Sequence, residues 1–168
     1  MTEQEFSQFY KQNLDKVFRF IYLRVDKVEI AQDLTSQSFL KVWQSNNLSQ
    51  RKIKNHQAFL FQVARHQIID FYRQKNKMPV SLDELSEKGI EISQKSFASQ
   101  IELNVEMENL KKKLQLINSA YSEVIIWHYV DNFSIKEIAE ILGKNENNVR
   151  VLLHRALENL KKECNTLP

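Results

Sequence analysis

Glycine and proline are scarce in this 168-residue chain, which contains two of each. Proteins average roughly 7% glycine and 5% proline, and barrels or sandwiches of many strands need such residues in their turns. Because the glycines stand at positions 89 and 143, neither of the glycine-rich phosphate-binding motifs can be written. The chain is therefore expected to be mostly helical.

Cysteine and long apolar runs are also scarce. The single Cys164 permits no internal disulfide, which suits a reducing compartment. The most apolar stretch, Val17 to Val25, is interrupted by two arginines and is too short to span a bilayer. No cationic segment followed by an apolar core stands at the N-terminus, so no signal peptide is expected. These absences favour a soluble, cytoplasmic protein.

Charge is unevenly distributed along the chain. Residues 1–78 carry 13 basic and seven acidic side chains, a net charge of +6, whereas residues 79–104 have a net charge of −3 and residues 105–168 a net charge of zero. Within the first segment, residues 51–77 hold seven basic side chains against one acidic one. A basic segment of this kind attracts polyanions, although a solvated helix end has the same composition.

Apolar periodicity in the N-terminal half predicts three helices. Asp26 and Glu29 stand in the relation of a capping box and should open the second of them. The predicted elements are helices over about 4–25, 26–44 and 55–76, a polar loop over 45–54 and an acidic linker over 79–104.

The C-terminal half carries the most specific local pattern. Helices are predicted over about 103–117 and 121–130, and Ser134 with Glu137 forms a second capping box that opens a short helix. Gly143 stands where a helix end needs a left-handed residue, and Asn145 can cap a final helix that runs to about Cys164. Two helices joined by such a turn make a helix-turn-helix, although a plain helical hairpin has the same pattern. The expected fold is all-α, with two small helical domains joined by a flexible linker.

Four segments, taken together, resemble a known family. The run DLTSQSFLKVW from Asp33 to Trp43 resembles the segment through which sigma factors grip RNA polymerase, and Phe59 to Arg73 resembles their promoter-facing helix. Residues 129–143 and 149–156 resemble their second DNA-binding domain. The order and spacing of the four segments are those of the small extracytoplasmic-function (ECF) type of sigma factor.

The resemblance implies a transcription initiation factor that binds core RNA polymerase and directs it to specific promoters. It assigns polymerase binding, promoter melting and −10 recognition to residues 1–78, and −35 recognition to the helix-turn-helix of residues 105–168. The implied partners are the clamp and flap of core polymerase, promoter DNA as duplex and as melted strand, and an anti-sigma factor of the kind often tethered at the membrane. No small-molecule substrate is implied.

Candidate contact residues follow from the matching positions. Those expected to bind polymerase are Asp33, Leu34, Gln37, Phe39, Leu40, Lys41 and Trp43, of which Leu34 and Phe39 equally suit a domain core. Those expected on the −10 side, as base-edge or phosphate contacts, are Asn46, Asn47, Arg51, Lys52, Lys54, Arg65, His66, Arg73 and Lys77. Those expected to read the −35 element from the recognition helix are Asn147, Asn148, Arg150, Val151, His154 and Arg155.

Two other classes of protein compete with this interpretation. A stand-alone helix-turn-helix transcriptional regulator explains residues 120–163 but leaves the basic segment without a role. An enzyme is disfavoured, because His66 and Asp70 share a helix face without a third ligand or a nucleophile in view. We therefore expect no catalytic residues, no metal ligands and no cofactor.

Overall fold

The computed structural model describes residues 1–48, 52–77 and 104–166, and every regular element in these ranges is helical. The elements are α1 (Glu3–Tyr22), α2 (Val28–Leu48), α3 (His56–Lys77), α4 (Val105–Leu114), α5 (Ser119–Ile125), a π-helical turn (Ile126–Val130), α6 (Ile135–Leu142) and α7 (Glu146–Asn165). The all-α prediction is confirmed. The predicted linker lies outside the described residues except for Asn104, whose side chain caps α4.

Helix α1 is opened by a capping box that the sequence analysis did not predict. The Thr2 hydroxyl accepts a hydrogen bond from the Glu5 amide at 3.2 Å, and the Glu5 carboxylate accepts one from the Thr2 amide at 2.7 Å. The helix ends at Tyr22, short of the predicted end at Val25. Leu23 and Val25 are buried in the turn that follows, so the apolar spacing continues beyond the last helical residue.

Helix α2 does not begin as predicted. Its first residue is Val28, and the Asp26 carboxylate accepts a hydrogen bond from Lys75 of α3 at 2.8 Å. The predicted capping box of Asp26 and Glu29 is therefore wrong. The sequence pattern of a capping box is present at Asp26 and Glu29. In the folded chain, however, Lys75 lies beside the Asp26 carboxylate and α2 begins at Val28.

The end of α2 also differs from the prediction. The helix continues past Gln44 to Leu48, so that Asn46 and Asn47 lie in its last turn and not in a loop. The stretch between Gln44 and Leu48 contains neither glycine nor proline, and nothing local stops the helix there.

The predicted helix-turn-helix is confirmed. Ser134 and Glu137 form the capping box that opens α6, with hydrogen bonds of 3.1 and 2.7 Å. Gly143 ends α6 in the left-handed region with φ +62°, and Asn145 caps α7 by accepting from the Asn148 amide at 2.8 Å. The residues buried between the two helices include Ile138, Ala139, Val149, Leu153 and Ala156.

Helices α1–α3 and α4–α7 pack against each other through one continuous core. Trp127 of the π-helical turn stacks on Phe20 of α1 with ring centroids 5.0 Å apart, and Phe133 meets Phe61 of α3 edge-on at 4.9 Å. All four side chains are buried. The helix order is that of two domains in sequence, but nothing in the sequence pattern predicted that the two would share a core.

Candidate functional site

The outer face of α2 presents a continuous stripe of mixed polarity, hereafter the α2 stripe. It consists of Asp33, Gln37, Leu40 and Lys41, which are all exposed, Leu40 by 50%. Trp43 is half-buried at its margin, where its ring packs on a phenylalanine of α1 at 4.8 Å. An exposed leucine beside a partly packed tryptophan, with polar neighbours, has the composition of a protein–protein contact.

Two residues predicted for the same surface lie inside the N-terminal core. Leu34 is 6% exposed and Phe39 is 3% exposed, and the Phe39 ring lies 4.6 Å from that of Tyr10. A partner at the surface cannot touch side chains buried in this way, which corrects the prediction that both bind polymerase directly. They belong to the buried stripe of α2, which consists of Ala31, Leu34, Thr35, Ser38, Phe39 and Val42.

A groove opens where the end of α2 meets the start of α3. Its lining includes Gln44, Leu48, Lys52, Lys54, Phe59 and Gln62, with Glu140 of α6 at one edge. Asn46 at its margin donates to the Met1 carbonyl at 3.3 Å, Asn47 is exposed, and the predicted Arg51 lies outside the described residues. Amide groups, an aromatic ring and two lysines are the side chains that hold an unstacked base and its phosphates.

The sequence analysis missed three groove residues on the first turns of α3, namely His56, Phe59 and Gln62. Their spacing of three residues places them on one helix face, which is the signal that could have revealed them. Burial lowers the pKa of His56, and the positive N-terminus adds to the effect, whereas Glu5 opposes it.

Basic side chains continue along α3 beyond the groove. His66, Arg73 and Lys77 are exposed as expected of residues that contact DNA. Arg73 lies 3.6 Å from Asp70, with which it forms an exposed i, i+3 ion pair.

Arg65 belongs to a buried charge cluster between the two halves of the chain. Its Nε donates to both carboxylate oxygens of Glu123 at 3.0 Å, and Arg24 Nη1 lies 2.8 Å from one of those oxygens. Glu123 is 2% exposed, and burial lowers the pKa of Arg24 against the opposing effect of Glu123. Glu123 thus engages the Nε of Arg65, while 33% of the Arg65 side chain stays exposed, and the DNA contact expected of Arg65 stays a prediction.

A second ion pair joins the two halves nearby. Nε and Nη2 of Arg19 donate to Oδ1 of Asp131 at 2.9 and 2.7 Å, whereas the buried Oδ2 has no hydrogen-bond partner among the described residues. Burial raises the pKa of Asp131 to about 6, because desolvation outweighs the opposing charges of Arg19 and Lys16.

The recognition helix α7 carries its predicted contact residues on one exposed surface. All six are exposed: Asn147, Asn148, Arg150, Val151, His154 and Arg155. Nη1 of Arg150 donates to Asn147 Oδ1 at 3.0 Å, and its Nη2 donates to Glu146 Oε2 at 3.2 Å. Exposed amide and guanidinium groups in the first turns of such a helix can reach base edges in a major groove.

The described ranges contain neither a candidate metal centre nor a candidate membrane span. Within them, no three His, Cys, Asp or Glu side chains are grouped so as to hold a metal ion. No helix in the same ranges combines the length and the apolar character needed to cross a bilayer.

Two protein-family models match the chain. The model for Sigma-70 region 2 matches residues 9–78, which include α2 and α3, and the model for Sigma-70, region 4 matches residues 107–160, which include the helix-turn-helix. Together the two matches account for most of the chain.

Curated relatives agree with the family models. The chain is 26% identical over 158 residues to the ECF RNA polymerase sigma factor BldN of Streptomyces coelicolor, covering 94% of this chain and 59% of that protein. It is 28% identical over 162 residues to the ECF RNA polymerase sigma factor SigM of Bacillus subtilis, covering 96% of this chain and 94% of that one. The chain thus spans little more than half of BldN but nearly all of SigM.

Solved structures share the fold across both halves. CnrH in complex with the cytosolic domain of CnrY gives a TM-score of 0.69 at 15% identity, covering 99% of this chain and 92% of that one. The sigma factor RpoE in complex with the anti-sigma factor NepR from Bartonella quintana gives 0.68 at 20% identity, covering 98% and 99%.

Proposed function

Because the chain belongs to the sigma-70 family as an ECF-type factor that directs core RNA polymerase to promoters, we propose a division of that work between its two domains. Residues 1–78 bind polymerase, melt the promoter and read the −10 element. Residues 79–104 link the domains, and residues 105–168 read the −35 element. This division is supported by one observation: the chain has two separate exposed faces, the α2 stripe in the N-terminal half and the outer surface of α7 in the C-terminal half.

The α2 stripe is the proposed contact with the polymerase clamp. Leu40 and the edge of Trp43 supply apolar contact area, while Asp33, Gln37 and Lys41 form the polar rim. The anti-sigma partner expected for this chain is of the kind that NepR represents for RpoE. A partner that covers the α2 stripe would compete directly with polymerase.

The groove between α2 and α3 is the proposed receiver of the melted −10 strand. Phe59 offers a ring on which a base can stack, Gln44 and Gln62 offer amide groups for its edge, and Lys52 and Lys54 attract the phosphates. Farther along the same helix, His66, Arg73 and Lys77 face the adjoining duplex.

The outer surface of α7 is the proposed reader of the −35 element. Asn147, Asn148 and Arg150 stand in the first turns, where asparagine can read adenine and arginine can read guanine through paired hydrogen bonds. Arg155 lies further along and suits a phosphate. The chain itself contributes no catalysis in this proposal, since RNA synthesis is the chemistry of polymerase, and it acts in the cytoplasm beside the chromosome.

Run-off transcription with purified core polymerase on a genomic promoter library tests the proposal. We expect transcription from a subset of promoters, with a shared −10 and −35 pattern, only when the chain is added. A stand-alone regulator would instead bind paired duplex sites without polymerase and would initiate nothing, and that outcome would overturn the proposal.

A further inference from the structure

One side chain on the outer surface of α7 can neither donate nor accept a hydrogen bond. Five of the six exposed residues of this surface carry an amide, a guanidinium or an imidazole group, and Val151 alone is aliphatic. Val151 is 50% exposed, so its two methyl groups are open to a partner. A surface that reads DNA through hydrogen bonds has no evident use for such a side chain.

Val151 occupies the centre of the exposed surface. Successive residues of a helix lie about 100° apart around its axis, which places Val151 about 160° from Val149 and from Leu153. Both of those residues are buried. Arg150 lies only about 100° from Val149 and so stands nearer the margin of the same surface. When α7 enters a groove by its outer surface, Val151 is therefore the residue that comes closest to the floor.

Polar side chains lie one turn before Val151 and one turn after it on the helix. They are Asn147, Asn148, His154 and Arg155. All four can form hydrogen bonds with base edges or phosphates on either side of the central position. The base pair that lies between them faces the two methyl groups of a valine.

The guanidinium of Arg150 does not fill the central position. It donates hydrogen bonds to Asn147 at 3.0 Å and to Glu146 at 3.2 Å, which directs it toward the first turn of α7. Arg150 and Val151 therefore offer neighbouring base pairs two different kinds of contact, one polar and one apolar.

The major groove contains an apolar group that fits such a position. Thymine presents a 5-methyl group there, whereas the recognised groups of adenine, guanine and cytosine are hydrogen-bond donors and acceptors. Valine packed on the thymine methyl removes apolar surface from water on both sides. Valine packed on an amino group or a carbonyl displaces water without replacing its hydrogen bond, which is unfavourable. The contact favours thymine and disfavours the other bases.

We propose that Val151 is a specificity-determining residue that reads the 5-methyl group of one thymine in the −35 element. This inference rests on the proposed assignment of −35 recognition to α7. It adds to that assignment the chemical group that the centre of the surface recognises.

Replacement of single thymines by 2′-deoxyuridine is the sharpest test. The replacement removes the 5-methyl group and leaves base pairing and the O4 acceptor unchanged. The probes are duplex promoters recovered by run-off transcription from the genomic library, and the protein is the full chain bound to core polymerase. Each thymine of the −35 element, on either strand, is replaced in turn, and competition binding gives the affinity relative to the parent promoter.

At one thymine, deoxyuridine should weaken binding of the wild type about fourfold, which is the effect of losing one buried methyl group. At the other −35 thymines the change should be less than about twofold, because no apolar contact is lost there. Cytosine at the sensitive position should also bind weakly. 5-Methylcytosine should bind about fourfold more tightly than cytosine, because it restores the methyl group on a base with a different hydrogen-bonding edge.

Variants at Val151 connect the lost methyl group to this side chain. Val151→Ala removes both valine methyl groups and should bind the thymine and deoxyuridine promoters equally. It should fold normally, because the position is exposed and alanine favours a helix more than valine does. Val151→Ile keeps both branches of the side chain and should keep the preference for thymine. Val105→Ala makes the matched deletion at a valine of α4 that is 75% exposed, and it should keep the wild-type preference.

Three results would overturn the inference. The first is binding that is insensitive to deoxyuridine at every −35 thymine. The second is a sensitivity that Val151→Ala leaves unchanged, since another side chain then reads the methyl group. The third is a shared −35 pattern without any A·T pair.

Failure of the proposed function gives a different result. In all three cases above the chain still directs polymerase to a subset of promoters, so the proposed function stands while the role of Val151 falls. A chain that supports run-off transcription from no promoter of the library contradicts the proposed function, and the inference that rests on it falls as well.

Discussion

The guanidinium of Arg150 is held in place on the exposed surface of α7. It donates hydrogen bonds to Asn147 and Glu146, one turn back along the helix. Holding a long side chain in place lowers the entropy that it would lose on binding. For the proposed contact with the −35 element, Arg150 is therefore oriented before DNA binds.

Arg150→Ala should relax specificity at one or two upstream base pairs, costing about 1–3 kcal/mol at those positions if the contact to guanine is paired. Run-off transcription on promoters carrying single substitutions in the −35 element measures the effect. Arg155→Ala, as a control for phosphate contacts, should weaken all promoters equally and flatten the salt dependence. A uniform loss in Arg150→Ala would make Arg150 a phosphate contact instead.

Asp131 makes stability depend on pH. Its pKa of about 6 in the folded chain lies above the ordinary aspartate pKa of 3.8. The folded state therefore binds the proton more tightly, and the stabilisation present at low pH is lost as pH rises from about 4 through 6.

Asp131→Asn removes this titration. Relative to that variant, the unfolding free energy of the wild type should fall by up to about 3 kcal/mol between pH 4 and pH 7, at about 1.4 kcal/mol for each unit of pKa shift. Urea unfolding at a series of pH values measures the difference. The exposed Asp70→Asn should show no comparable trend, and a pH-independent difference for Asp131→Asn would contradict the prediction.

At the scale of the element, α2 carries a buried stripe and an exposed stripe on the same 21-residue helix. Phe39 and Leu40 are neighbours in sequence, yet Phe39 is 3% exposed and Leu40 is 50% exposed. Successive residues of a helix lie about 100° apart around its axis, so one faces the core and the other faces solvent. On α2, the residues that stabilise the domain core are therefore different residues from those of the proposed polymerase contact.

Leu40→Asp and Phe39→Ala should separate these two roles. Leu40→Asp should leave the unfolding free energy within about 0.5 kcal/mol while strongly reducing co-purification with core polymerase. Phe39→Ala should cost about 3–5 kcal/mol of stability through the cavity that it leaves. Leu40→Asp that still co-purifies normally would remove the α2 stripe from the polymerase contact.

At the scale of the whole molecule, the two domains pack against each other through aromatic rings that both of them contribute. Phe20 and Phe61 come from the N-terminal half, and Trp127 and Phe133 come from the C-terminal half. Each large aromatic side chain buries roughly 150–250 Å². Separating the halves in water exposes this area, so their stabilities are coupled.

The intact chain should therefore unfold in a single cooperative transition. Differential scanning calorimetry should give a calorimetric enthalpy equal to the van't Hoff enthalpy. Arg19→Glu, which sets two carboxylates against each other at Asp131, should broaden or split that transition, because it weakens the contact between the two halves. Two resolved transitions in the wild type would show that the halves are energetically separate.

The sequence by itself determined the helices, the helix-turn-helix and the family. These depend on interactions between residues a few positions apart, such as the Ser134 cap and the left-handed Gly143, and on motifs that stand in order along the chain. A local prediction was wrong where a residue distant in sequence contacts the site: the Asp26 carboxylate, predicted to cap α2, binds Lys75 of α3 instead.

Tertiary structure alone decided how the two halves meet and which predicted contact residues are accessible. Arg65 and Glu123 are 58 residues apart, and Arg19 and Asp131 are 112 apart, so no local spacing could pair them. Whether Phe39 faces a partner or the core likewise depends on which side of α2 the other helices cover. Burial and charge pairing depend on which surfaces folding brings together. An amphipathic pattern shows that a helix has an apolar face, but it does not specify which element packs against that face.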